Sequence, residues 1–198
     1  MIAGEIRRGP WDEILAGYHS MGFALMPVSD KVLTREVYNY CMTKRASLRR
    51  LQEWFRADTD AKLAARMGNP SDNIMCVKIV NADPFESLYK GLDLCETRTI
   101  LSPDGNYALL YRFPRCYKGL FEISPTATLI GEGNLIYLPP STTTLGYQYK
   151  YELKMPINPA PRDLVIFLSM CATKRWVQKA ERHTHQVYDN APDISFYE

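Results

Sequence analysis

Apolar residues in this chain recur at helical intervals through the first third, pass through one strongly apolar run, and then alternate with polar residues until a last helical stretch. Between Pro10 and Met21, Ile14, Leu15 and Tyr18 fall on one helical face, Pro10 suits a first turn and Gly22 can end it. Phe23 to Val28, FALMPV, reads as a strand. The polar, tyrosine-bearing connection from Ser29 to about Ala46 holds enough helix formers in Leu33 to Met42 for a short helix. Ser47 is placed to cap a helix running to about Arg56, with Leu48, Leu51, Trp54 and Phe55 at helical spacing. Ala61 to Met67 is expected to form a further helical turn, broken by Gly68, Asn69 and Pro70.

The run NIMCVKIVNADPF, Asn73 to Phe85, predicts a buried strand. Val77, Ile79 and Val80 are strand formers, and Asn81, Asp83 and Pro84 end the run with turn chemistry. If strand geometry persists to its end, Asn81 and Asp83 leave the same face and converge on one ion or phosphate. Asn and Asp also end strands routinely without any site. Pro84 to Asp93 follows as a helix carrying Phe85, Leu88 and Leu92 on one side.

Beyond it the period is two. Thr97 to Leu101 and Tyr107 to Phe113 read as a hairpin around Ser102, Pro103, Asp104, Gly105 and Asn106. Further short strands are expected at Gly119 to Ile123, Thr126 to Ile130, Asn134 to Leu138 and Tyr147 to Leu153, and Asp163 can cap a closing helix that runs towards Trp176. The fold class is α+β, a mixed or antiparallel sheet flanked by helices.

Length and composition narrow the picture. With 198 residues, 46% apolar, the chain suits one domain with a well-buried core. No run approaches the roughly 20 apolar residues of a membrane span, and Met1 to Pro10 is charged where a signal peptide needs an apolar core. These features predict a cytoplasmic protein with no membrane partner. Five dispersed cysteines, without a CxxC pair, fit reduced thiols better than a disulfide framework or a zinc site.

A net charge of +2 is too small to argue for nucleic acid, so any such case must be local. One segment makes it: Lys44, Arg45, Arg49, Arg50 and Arg56 face the single Glu53, a surplus of four positive charges. A phosphate-binding edge and a solvated helix face are both open readings of it. Tyr147, Tyr149 and Tyr151 alternate, which on one strand face makes either a stacking platform for unpaired bases or a face of the core. His183 and His185 have no acid or cysteine at a ligating spacing and read as part of a basic tail with Lys174, Arg175, Lys179 and Arg182.

Taken in order, several short motifs resemble the primase-polymerase domain of the archaeo-eukaryotic primase superfamily, over roughly Tyr18 to Leu168. MGFALMPVSDK resembles its opening strand and lysine-bearing turn, LRRLQEWF its helix ending in Trp, and VNADP its Asp-x-Asp-Pro strand end. LSPDGNYALLYRFP resembles its histidine-bearing hairpin, TATLIGEGNLIYLPPS its acid-bearing strand with glycine turn and Pro-Pro-Ser, and NPAPRDLVIFL its closing segment. The resemblance implies a primase-polymerase-like, RRM-related fold, with residues 164–198 as a C-terminal helix and basic tail.

In that family three carboxylates hold divalent metal, a histidine contacts nucleotide phosphates, and the reaction is template-directed nucleotidyl transfer. Here Asn81 stands at the first acid, Asp83 keeps the second, Ala108 falls at the histidine and Thr128 at the third acid. Neutral Asn and Thr do not offset the charge of two metal ions. The resemblance therefore implies a non-catalytic primase-polymerase-like protein that binds DNA, RNA or nucleotide in the replication of a virus, phage or plasmid, alongside replication proteins and without a required cofactor. Arg49, Arg50, Arg56, Lys78 and Arg112 are its candidate phosphate contacts, and Asp83 is a vestigial or single-ion ligand. Two alternatives stay open: an active DNA primase or polymerase using Mg2+ or Mn2+ through atypical ligands, and a protein-interaction module or inhibitor built on the inherited fold.

Overall fold

Acidic side chains in its first turn and an apolar face of Leu15 and Tyr18 suit α1, Asp12–Ser20, which stops at Met21 before Gly22 turns the chain with φ +99°. Strand β1, Ala24–Val28, follows, then α2, Arg35–Thr43, and α3, Leu48–Ala57. The Ser47 hydroxyl caps α3 by accepting from the Arg50 amide at 3.4 Å, and Leu51 and Phe55 are buried. The computed structural model describes residues 10–29, 35–80 and 94–173 of the chain.

Strand β2, Lys62–Arg66, corrects the helical turn expected at Ala61 to Met67. The segment is too short to hold a helix by itself, and pairing decides its state. It lies between β1 and β8, Leu135–Tyr137, in an antiparallel three-stranded sheet. Leu63 and Ala65 point into the principal core while Ala64 packs on the opposite face with Met26 and Cys41, so the small side chains are used on both sides. Pro27 is accommodated because β1 is an edge strand of this sheet.

The larger sheet is built around β3, Ile74–Ile79, which the apolar run predicts as central. It pairs antiparallel with β5, Tyr107–Arg112, on one side and with β7, Ala127–Ile130, on the other. Outward from β5 come β4, Thr99–Leu101, and β9, Lys150–Leu153; beyond β7 lies β6, Leu120–Ser124. A two-residue strand, β10 at Asn158–Pro159, adds a parallel pairing to β5, and α4, Arg162–Thr173, closes the fold.

Two cores result. Leu25, Leu63, Ala65 and Ile136 of the small sheet share one with Ile74, Cys76, Ile100 and Leu110 of the large sheet, completed by Leu15, Tyr18, Leu51 and Phe55 from α1 and α3. The other face of the large sheet, with Met75, Val77, Leu109, Tyr111 and Leu129, is covered by Leu164 and Leu168 of α4. Close approach explains Gly131 in the β7–β8 turn: a Cβ there would meet the Tyr117 carbonyl oxygen at 2.1 Å, against which this turn is hydrogen-bonded. The Pro-Pro-Ser segment after β8 is structural, since Ser141 bonds both the amide and the carbonyl of Leu63 and the Pro139 carbonyl accepts from Tyr18 at 2.7 Å.

The helix expected at Pro84 to Asp93 and the basic tail at Lys174 to His185 lie outside the described residues. Among the described residues no helix is long and apolar enough to cross a membrane. Cys41 and Cys76 are buried free thiols whose pKa values burial pushes up to about 11 and about 12, while Cys95 is exposed and Cys116 intermediate.

Candidate nucleic-acid interface

Lys78 stands in register with Ala108 on β5 and Thr128 on β7, and the row continues to Glu122 on β6 and to Ile100 and Tyr151 on the opposite flank. Ile74 and Cys76, on the same face of β3, are fully buried between the sheets, so Lys78 emerges on that face where the strand nears its end. It is half-buried, and its ammonium is close enough to Asp104 to act on that carboxyl. Pairing continues one residue further, with the Val80 amide donating to the Thr126 carbonyl at 2.9 Å. Asn81 and Asp83 lie outside the described residues.

The tip of the β4–β5 hairpin sits at the same end of the sheet as Lys78. Here Asp104 bonds the Ser102 hydroxyl and the Asn106 side chain. Burial pushes the Asp104 carboxyl up, but the Ser102 hydroxyl, the Lys78 ammonium and the Asn106 amide outweigh it and hold the carboxyl below its ordinary value. The row thus presents an ammonium between a methyl and a hydroxyl, with the Asp104 carboxylate at the hairpin tip and Glu122 one strand beyond Thr128. The positive charge sits on the central strand, between the two positions, and the negative charges lie at the edges of the row. Among the described residues no three His, Cys, Asp or Glu side chains are grouped so as to hold a metal ion.

The five basic candidates separate into different environments. Arg56 reaches back to α1, where one of its nitrogens bonds both carboxylate oxygens of the buried Asp12 at 3.2 and 2.9 Å. Arg112 donates to the carbonyls of Asp72 at 2.8 Å and Met21 at 3.3 Å. Both guanidinium groups are thereby engaged in holding the fold. Arg49 is exposed and pairs with Glu53 one turn along α3 at 3.1 Å. Arg50, also exposed, lies 4.3 Å from the Tyr40 ring centre and 5.8 Å from that of Trp54, with the Lys44 ammonium 5.9 Å from Tyr40. Lys78 stands apart from this patch, in the row described above.

Tyr40 was hidden in the polar connection before α3, where nothing but its aromatic type marks it. A second aromatic and basic surface joins residues far apart in sequence: the Tyr137 and Tyr149 rings lie 5.5 Å apart, and the Lys62 ammonium is 5.9 Å from the centre of Tyr137. Burial, then the neighbouring Tyr137 and Asp104, push the Tyr149 hydroxyl up to about 12. No local pattern signals this cluster, because it forms by β8 joining a different sheet from β9.

The alternating tyrosines do not share one strand face. β9 begins only at Lys150, so Tyr151 alone is a strand residue, and its hydroxyl donates to that of the buried Tyr18. Tyr149 is half-buried against the inter-sheet core, whereas Tyr147 is 63% exposed. Tyr151 belongs to the core and Tyr147 does not.

No protein-family model matches this chain, and a search of curated proteins finds no match to it.

Proposed function

We propose that this protein binds single-stranded or primed nucleic acid, or its nucleotide, as a primase-polymerase-like subunit without nucleotidyl-transfer activity, in the replication of a virus, phage or plasmid. The observation that carries this reading is the row Ala108, Lys78, Thr128. The resemblance assigns Ala108 and Thr128 to a phosphate-binding histidine and a metal-binding acid, and they are neighbours on strands flanking the same central strand. The side chain between them is an ammonium. A fixed positive charge there opposes a pair of divalent ions and favours a phosphate oxygen. The exposed Arg50 and Lys44 around Tyr40, with the exposed Arg49 next along α3, supply the combination of cations and ring faces that suits a flexible single strand.

A second reading, a protein-interaction module, is favoured by a groove of about 460 Å3 between β10 and α4, floored by Phe113, Pro159 and Val165, beside the exposed Ile166 and Met170.

The experiment is primer extension and de novo primer synthesis with Mg2+ and with Mn2+, run beside salt-titrated binding of the full chain to single-stranded and primed DNA. The proposal expects no product and an affinity whose logarithm falls linearly with log salt, by about 0.7 for each phosphate neutralised on a single strand. Product lost in Asp83→Ala means an active polymerase with atypical ligands and overturns the non-catalytic reading. Absence of binding even at low salt overturns the nucleic-acid reading in favour of the protein interface.

A further inference from the structure

Between β8 and β9 the chain folds back on itself into a finger. The Tyr149 amide donates to the Ser141 carbonyl at 2.9 Å, Thr142 and Gln148 form an antiparallel bridge, and Ser141 itself is anchored on Leu63. Nearer the tip, the Thr143 amide donates to the Tyr147 carbonyl at 2.7 Å, while the Tyr147 amide donates to the Thr143 hydroxyl at 3.1 Å. The Gly146 amide returns to the Thr143 carbonyl at 3.0 Å, at a φ of +83° that favours glycine.

These bonds define the backbone of the finger and yet hold its two large apolar side chains outward. Leu145 is 81% and Tyr147 63% exposed. The surrounding Thr142, Thr144 and Gln148 are exposed polar residues, so the apolar area is confined to one aliphatic tip and one ring. A protein interface needs a broader contiguous patch. A single base needs one ring face, with cations along the phosphates. Both are present: at the base of the finger Tyr149 packs on Tyr137 beneath the Lys62 ammonium. Among the described residues Asp60, close to Lys62 in the chain, and Glu152, close to Tyr149, are exposed acids, while Asp104 is bonded within its own turn.

We infer that the finger is a base-stacking contact, in which the Tyr147 ring takes the face of an unpaired base while Lys62 meets an adjoining phosphate of the same strand. This rests on the nucleic-acid reading above and gives it a place and a polarity of contacts: a ring for the base, a lysine for the backbone.

Fluorescence anisotropy of the full chain with a labelled oligo(dT), an abasic strand of equal length and a duplex separates the terms. Tyr147→Ala is expected to weaken oligo(dT) binding by about 5- to 150-fold, the range of a lost base stack. The slope against log salt should stay unchanged, and binding of the abasic strand should equal wild type. Tyr147→Trp restores oligo(dT) affinity, and circular dichroism melts of both variants match wild type because the ring is exposed. Oligo(dT) affinity unchanged in Tyr147→Ala, or an equal loss on the abasic strand, overturns the stacking contact while leaving nucleic-acid binding intact. A wild-type protein that binds none of the three probes overturns both proposals together.

Discussion

Arg50 and Arg56 leave the same helix, α3, six residues apart, and meet opposite environments. Arg56 crosses to α1 and its buried Asp12; Arg50 lies in the open over Tyr40. Around α1 the same theme repeats, with Arg45 donating to the His19 carbonyl and Arg112 to that of Met21, both at the negative end of the helix. One region thus uses guanidinium groups as internal brackets, and the other leaves them available to an outside anion. A surplus of positive charge marks both alike. The distinction comes from what each group has already bonded.

The contrast is sharpest for Arg56→Ala, which should lower stability by about 1–3 kcal/mol by leaving a buried carboxylate without its guanidinium. A urea or thermal melt measures it, and the Asp12→Asn, Arg56→Ala double variant should lose less than the two singles combined. Arg112→Ala, which strips two carbonyls of a donor, should cost about 1–2 kcal/mol in the same melt. If either variant is as stable as wild type, the bracket is not structural and the region joins the open surface.

For the exposed face the expected effect is transferred from stability to binding. Arg50→Ala should leave stability within about 0.5 kcal/mol of wild type. It should reduce the salt slope of single-strand binding by about 0.7, as one lost phosphate contact does. A stability loss as large as that of Arg56→Ala would erase the difference between the two regions.

The smallest effect concerns His19, beside Arg45. Burial first, then the Arg45 charge, lower its pKa from the ordinary 6.5 against the opposing backbone contact with Ala46. The unfolded chain therefore takes up this proton more readily, so the contribution is present above pH 6.5 and declines as the pH falls towards the lower folded value. Urea midpoints at pH 7.5 and 5.5 should show a smaller acid-side loss for His19→Gln than for wild type; equal losses would mean that the bracket does not reach the imidazole.

Much of the fold is legible along the chain. The helix capped by Ser47, the central strand from Ile74 and the hairpin around Asp104 and Gly105 are each carried by signals within a dozen residues, and all form where expected. The segment Lys62–Arg66 is not legible, because KLAAR favours no state strongly and acquires one from β1 and β8. The candidate site divides in the same way. Arg49 and Arg50 can be found from sequence as an exposed basic pair, but Arg56 and Arg112 carry the same charge and are withdrawn by partners 44 and 40 to 91 residues away. Tyr137, Tyr149 and Lys62 gather without any sequence signal.

By itself, the sequence determined the α+β class, the position of the central strand and the basic character of α3, since these follow from periodicity, capping and charge over short distances. Only the tertiary structure decided that the strands divide into two sheets, that Lys78 stands between Ala108 and Thr128, and that Tyr147 faces outward while Tyr151 faces inward. The reason is physical: strand pairing and burial are non-local, and a side chain's role depends on which distant group satisfies it first.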